Sequence, residues 1–132
     1  MNRTFDVNQP IVYEEESYKI IGACMEVHKH LGRSGFSEVV IKDALQYEFK
    51  ETSISFEREV EYAVEYKGIV LPHKFYADFV VMGKIILEVK NCSALTNDHI
   101  AQSLNYISIS RLKLALLVNF GKPSLEYKRL LL

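Results

Sequence analysis

Two carboxylates and an ammonium group occur within residues 75–90, in a pattern that could hold a divalent cation. Asp78 lies inside one apolar run, and the following run ends on Glu88, Val89 and Lys90. If the two runs form an antiparallel hairpin, Asp78 and Glu88 lie close together at one end of it. Side chains alternate along a strand, so Glu88 and Lys90 share a face while Val89 points away. This chemistry would suit metal-dependent hydrolysis of a phosphodiester.

A second interpretation of the same charges stays open, because they could be solvated side chains on an exposed sheet face. The neighbours favour a functional role, since Asp78 follows Tyr-Ala and precedes Phe-Val-Val, and Glu88 follows Ile-Ile-Leu. Burial of an unpaired carboxylate in such a run is costly. Carboxylates kept there commonly face a metal, a cation or a reacting group.

The composition limits the class of protein. With 132 residues, 48% hydrophobic and 25% charged, we expect a tail over residues 1–14 and a single globular domain over residues 15–132. No apolar run reaches the ~20 residues of a membrane span, and no signal peptide is evident, so we expect a cytoplasmic protein without a membrane partner. The two cysteines lack metal or disulfide spacing. A net charge of −1 argues against a large electrostatic footprint on duplex DNA.

Hydrophobic spacing predicts helices first and strands afterwards. The predicted helices cover residues 15–31, 36–50 and, after an N-cap near residue 96, a segment ending at about residue 110. The predicted extended segments cover residues 53–66, 75–81, 84–89 and 114–120, and residues 125–132 form either a strand or a short helix. Turns are predicted at residues 67–68, 71–73 and 82–83.

Three further residues have positions that chemistry could use. Glu38 leads the apolar stripe of the second helix, either as a first-turn partner of the helix dipole with its head in water or as a third acidic ligand. On the third helix, Gln102 and Tyr106 share a face nearly opposite the main apolar stripe. They could border a cleft or belong to a solvated face, and the spacing alone favours neither.

Taken together, these residues resemble a known family. The order of helix, three-stranded meander with Asp…Glu-x-Lys, helix and strand is similar to the core of the PD-(D/E)XK nuclease superfamily. More closely, GFSEVVI at residues 35–41 resembles the signature of the GxxExxY proteins, with Ile41 in place of the final tyrosine. The resemblance continues through residues 64–68, 76–79, 87–90, 94–96, 101–106, 117–121 and 125–129, so it covers nearly the whole chain after about residue 15.

The resemblance implies an α/β (α+β) fold with a restriction-endonuclease-like core, in which helices flank a mixed, four-stranded central β-sheet. It implies that Asp78 and Glu88 hold Mg²⁺ or Mn²⁺, with the carbonyl of Val89 as a further ligand and Glu38 completing the acidic cluster. Lys90 would orient or activate the attacking water and stabilise the developing charge. A Gln-x-x-x-Tyr helix borders the site in the RecB-like branch.

Gln102 and Tyr106 match that helix. The implied function is a metal-dependent nuclease acting on nucleic acid, with DNA as the expected substrate. The alternative is a non-catalytic interaction module on the same fold, which the small size and near-neutral charge favour. A protein partner or a homodimer would extend the binding surface, but nothing in the sequence demonstrates either one.

Overall fold

The computed structural model describes residues 11–32 and 35–132, which form three helices around one five-stranded sheet. Most of the predicted tail, residues 1–10, lies outside the described residues, as do residues 33–34 between the first two predicted helices. The elements are α1 (Glu14–Leu31), α2 (Glu38–Glu51), β1 (Phe56–Tyr66), β2 (Ile69–Val81), β3 (Ile85–Lys90), α3 (Asn97–Ser110), β4 (Leu114–Asn119) and β5 (Glu126–Leu131).

The predicted helices are confirmed to within two residues at each end. In α1, three glutamates stand in the first turn and His28, Lys29 and His30 in the last, which places each sign of charge at the favourable end of the helix dipole. At the start of α3, Thr96 accepts a hydrogen bond from the main-chain N–H of His99, and the His99 side chain accepts one from Thr96. This reciprocal cap confirms the predicted start of the third helix.

The sheet has the strand order β1-β2-β3-β4-β5, and only the β3–β4 pair is parallel. Helix α3 supplies the crossover that a parallel pair needs. The predicted mixed sheet with flanking helices is therefore confirmed. The count of four strands is wrong, because residues 126–131 pair with β4 as an antiparallel edge strand.

Helices cover the sheet on both faces. One face packs against α1 and α2 through a core that includes Ile20, Leu45, Phe49 and Phe79, all fully buried. The other face packs against α3 through a smaller core. Because β3 and β4 are covered on both sides, their side chains are buried almost throughout, as is usual for parallel strands. No helix among the described residues is long and apolar enough to cross a membrane.

The predicted turn at residues 71–73 is wrong, because β2 continues through Pro72. The pairing of β1 with β2 shifts register between Ala63 and Glu65, next to this proline. Proline lacks the N–H that a regular ladder requires, so it is tolerated in a strand at an edge or a bulge. The turns at Lys67-Gly68 and Met82-Gly83 are confirmed, and all four residues have positive φ.

Candidate active site

The predicted site forms where β2 diverges from β3. Regular pairing of these strands ends at Phe79 and Leu87, and the same register would place Asp78 opposite Glu88. There, hydrogen bonds from the main chain to carboxylate oxygens take the place of main-chain pairing. The main-chain N–H of Asp78 donates to Glu88 Oε1 at 3.1 Å, and the N–H of Val89 donates to Asp78 Oδ2 at 2.8 Å. The two carboxylates are therefore neighbours, as the hairpin argument predicted.

Glu88 is strongly perturbed by its surroundings. The residue is only 3% exposed. Burial, followed by the negative charge of Asp78, raises the pKa of its carboxyl to about 9, against a smaller opposing effect from Lys90. Without a bound cation, Glu88 is therefore protonated at neutral pH. Two adjacent carboxyl groups in a buried place cannot both ionise easily, so this pair is suited to exchange a proton for a cation.

Lys42 on α2 belongs to the same cluster, and the sequence analysis missed it. Its Nζ donates to Asp78 Oδ1 at 3.1 Å and to Glu59 Oε1 at 2.7 Å. Its side chain is 11% exposed. Burial alone would lower the pKa of Lys42, but the hydrogen bonds and negative charges of Glu59 and Asp78 outweigh it and raise the pKa. A signal was available, since Lys42 follows Glu38 by one helical turn and so shares its face.

Glu59 was also missed, although the strand register explains its presence. The pairs Arg58–Phe79 and Val60–Ala77 flank it, which places Glu59 directly opposite Asp78. Its φ of 54° is left-handed, which is uncommon for a residue other than glycine and unusual inside a strand. The regular ladder is interrupted here on both sides of β2. The backbone irregularity thus coincides with the acidic cluster, as local strain often does at functional sites.

Glu38 lies beside the cluster rather than within it. Its Oε2 accepts a hydrogen bond at 3.2 Å from the main-chain N–H of Asn91, the residue after β3, and the Asn91 side chain donates to the carbonyl of Phe36. Glu38 is half-buried, so it is more than a solvated partner of the helix dipole. Across residues 11–32 and 35–132, no group of three His, Cys, Asp or Glu residues is arranged to hold a metal ion. The predicted three-carboxylate cluster is therefore not assembled in this conformation.

Lys90 ends β3 next to Glu88. Strand alternation places it on the face of Glu88, and it is half-buried. It makes no hydrogen bond or ion pair through its side chain with any residue that the structure describes. Val89 is fully buried in the core on the opposite face, as predicted, and only its main chain reaches the carboxylates. Lys90 is thus a cation at the site whose ammonium group has no competing protein partner in the described chain.

Tyr106 lies on the side of α3 that packs against the sheet, near enough to Glu88 and Asp78 to respond to their charges. It is 5% exposed and packs on the sheet in the smaller core, and its hydroxyl donates to the carbonyl of Tyr76 at 2.9 Å. Burial, followed by the negative charges of Glu88 and Asp78, raises the pKa of Tyr106 to about 12. The alternative that places Tyr106 on a solvated face is wrong, because Ser103, Tyr106 and Ile107 form the buried stripe of α3.

Gln102 is exposed on α3 and has no hydrogen-bond partner in the described part of the chain. The structure therefore separates the two residues of the Gln-x-x-x-Tyr pattern into one buried and one exposed side chain.

Two cavities lie away from the carboxylates, one of about 390 Å³ between α1 and β5 and one of about 540 Å³ between α1 and the end of α2. The carboxylate pair lies at the gap in the β2–β3 ladder, and its side chains are mostly covered, since Glu88 is 3% exposed and the Asp78 side chain 15%.

The donor atoms of this gap fit a hard divalent cation. Mg²⁺ and Mn²⁺ prefer oxygen ligands, and Mg²⁺ is usually bound through one or two carboxylates with water completing the shell. Asp78 and Glu88 supply two carboxylates side by side, and the main chain of Val89 adjoins them. Burial and, after it, the charge of Asp78 raise the pKa of Glu88, so the ionised pair calls for a compensating cation.

Comparison with known proteins agrees with this geometry. Residues 14–130 match the family model described as the PD-(D/E)XK nuclease superfamily. A solved structure described as "Crystal structure of SSO0001" superposes with a TM-score of 0.59 at 19% identity, over 91% of this chain. The superposition spans 60% of that protein's chain, and at this identity it supports the fold alone. No curated protein matches this chain at a significant level.

Proposed function

This chain belongs to the PD-(D/E)XK nuclease superfamily, and on that premise we propose that it is a metal-dependent nuclease that hydrolyses phosphodiester bonds of DNA. One observation carries the proposal. Asp78 and Glu88 lie side by side where β2 leaves β3, and Lys90, without a side-chain partner in the described residues, ends the same strand. Two carboxylate ligands for a divalent ion, next to an ammonium group that can stabilise developing negative charge, suit this hydrolysis.

Each residue has a distinct part in the proposed reaction. Asp78, Glu88 and the carbonyl of Val89 would hold Mg²⁺ or Mn²⁺, and Glu38 would contribute from the start of α2. When bound, the ion polarises the scissile phosphate and lowers the pKa of a bound water. Glu88 would hold the ion as a carboxylate, because the charge of the ion would compensate the negative charge that burial otherwise disfavours.

Lys90 acts on the attacking water and on the phosphate of the substrate. Its ammonium group would orient the attacking water and stabilise the charge that develops on the phosphate oxygens. Tyr106 holds α3 against β2 through its hydrogen bond to the carbonyl of Tyr76 and thereby closes one side of the gap. Gln102, exposed on α3, would contact the nucleic acid rather than the ion. These assignments follow the finer resemblance to the GxxExxY proteins and to the RecB-like branch.

A second candidate is a non-catalytic interaction module on the same fold, and a specific observation favours it. An open acidic cleft is expected of an enzyme, whereas occluded and ion-paired carboxylates are expected of a module. Asp78 is paired with Lys42, and Glu88 is 3% exposed. The tip of the β1–β2 hairpin also exposes Tyr66, Ile69 and Val70, which would suit a protein partner or a second copy of the chain.

One experiment separates the two candidates. Mn²⁺ and Mg²⁺ binding is measured by calorimetry on the wild type, Asp78→Asn and Glu88→Gln, and the same samples are assayed on single-stranded DNA, duplex DNA and RNA. Asp98→Asn, the same chemical change on an exposed residue of α3, is the matched control. The nuclease predicts ion binding and cleavage that both site variants lose and the control keeps. Folded wild type that binds no ion would leave the interaction module.

A further inference from the structure

We propose that the ammonium group of Lys42 holds the place beside Asp78 that a second divalent cation would take, so that this site binds a single ion. The inference rests on the proposed function, because it concerns how that site is filled. Two-metal nucleases hold their ions roughly 4 Å apart with a carboxylate between them. In this chain, Asp78 is the carboxylate with a neighbour on each side, Glu88 on one and Lys42 on the other.

The contacts of Lys42 are those that a bridging cation would make. Its Nζ lies 2.7 Å from Glu59 Oε1 and 3.1 Å from Asp78 Oδ1, so it joins carboxylates from two adjacent strands. The second oxygen of Asp78 is used differently, since it accepts the main-chain N–H of Val89. Asp78 therefore contacts Lys42 through one carboxylate oxygen and Val89 of β3 through the other.

Charge balance favours one ion over two. Counted together with Glu38 beside the cluster, the four carboxylates and two ammonium groups leave two negative charges uncompensated when all are ionised, which is what one divalent cation neutralises; the residues are Glu38, Glu59, Asp78, Glu88, Lys42 and Lys90. A second divalent ion would give this group, in which Glu88 and Lys42 are buried and Glu59 is exposed, an excess of positive charge. Buried charges that are not compensated are costly, so the second ion is disfavoured while Lys42 is present.

The backbone holds Lys42 and its partners in place. The Lys42 side chain is 11% exposed, and it extends from the middle of α2, whose neighbouring residues Ile41 and Leu45 are fully buried. Glu59 reaches the ammonium group from a left-handed conformation with a φ of 54°. An arrangement that keeps an uncommon backbone conformation in order to face a lysine is a built contact rather than an incidental surface pair.

The test counts the Mn²⁺ ions bound per chain. The count comes from a titration in which the electron paramagnetic resonance signal of free Mn²⁺ is recorded. We expect one ion for the wild type and one for Lys42→Arg, which keeps the cation. We expect two for Lys42→Gln, since Asp78 and Glu59 are then free to share a second ion. The double variant Lys42→Gln/Glu59→Gln should return to one, because half of the second site is removed. Circular dichroism of each variant checks that it folds.

The outcomes distinguish this inference from the proposed function. A wild type that binds two ions overturns the role of Lys42 and leaves the nuclease proposal intact. A folded Lys42→Gln that still binds one ion also overturns it. A wild type that binds none refutes the metal site itself and the nuclease proposal with it. If Lys42→Gln does not fold, Lys42→Met supplies the uncharged variant, and its ion count then decides between two ions and one.

Discussion

The buried carboxyl group of Glu88 makes the stability of this protein depend on pH in a direction opposite to that of an ordinary salt-bridged acid. In the metal-free folded protein its pKa is raised to about 9 from the ordinary value of 4.5. The folded state therefore keeps a proton that the unfolded state loses. The contribution of Glu88 to stability is fully present below the unfolded pKa and declines as pH rises from about 4.5 towards about 9.

The size of the effect follows from linkage. In that interval each pH unit removes at most about 1.4 kcal/mol of unfolding free energy, so a change from about pH 5.5 to about pH 7.5 removes up to about 2.7 kcal/mol. This free-energy change is an upper bound, because Glu88 and Asp78 interact and therefore titrate as a pair rather than independently. The variant Glu88→Gln has nearly the same shape and cannot ionise, so it lacks this slope.

The assay is urea unfolding, monitored by circular dichroism, at several pH values in a buffer that contains a chelator. The wild-type free energy of unfolding minus that of Glu88→Gln should fall steadily with pH, since the other titrating groups cancel in the difference. Glu57→Gln, the same change on an exposed residue of β1, should show no such trend. A difference that is flat between pH 5.5 and pH 7.5, or one that rises, would refute the raised pKa and the burial that causes it.

Three other outcomes are expected. Mn²⁺ binding near pH 7 should release about one proton, measured by calorimetry in buffers of different ionisation enthalpy, because the cation displaces the proton of Glu88; no release would contradict this exchange. Tyr106→Phe should cost about 1 kcal/mol in urea unfolding, through loss of its hydrogen bond to β2; an unchanged midpoint would show that the bond contributes nothing. Gly121→Ala should destabilise the fold, since its Cβ would clash with the main chain of Cys92. The control Gly22→Ala, in an open position of α1, should stabilise the protein by roughly 0.5–1 kcal/mol in the same assay.

The sequence alone was enough to predict the three helices, most of the strands and the central pair of the site. Helical and strand periods are local properties, so the helices, the β2–β3 hairpin and the capped start of α3 could be read from the spacing of apolar residues and from Thr96. The placement of Asp78 beside Glu88 followed from a short turn between two strands, which leaves little choice of register. The face of Lys90 followed from strand alternation.

Tertiary structure alone decided what surrounds that pair. Lys42, Glu59 and Asp78 come from three different elements, and their meeting depends on how α2 crosses the sheet and on the register of β1, neither of which is a local property. The same holds for the fifth strand and for the continuation of β2 through its proline. Tyr106 faces the sheet because packing against a small second core selects a different stripe of α3 than its hydrophobic residues suggest. The sequence therefore determined which residues could do the chemistry, and long-range packing determined how they are paired, buried and charged.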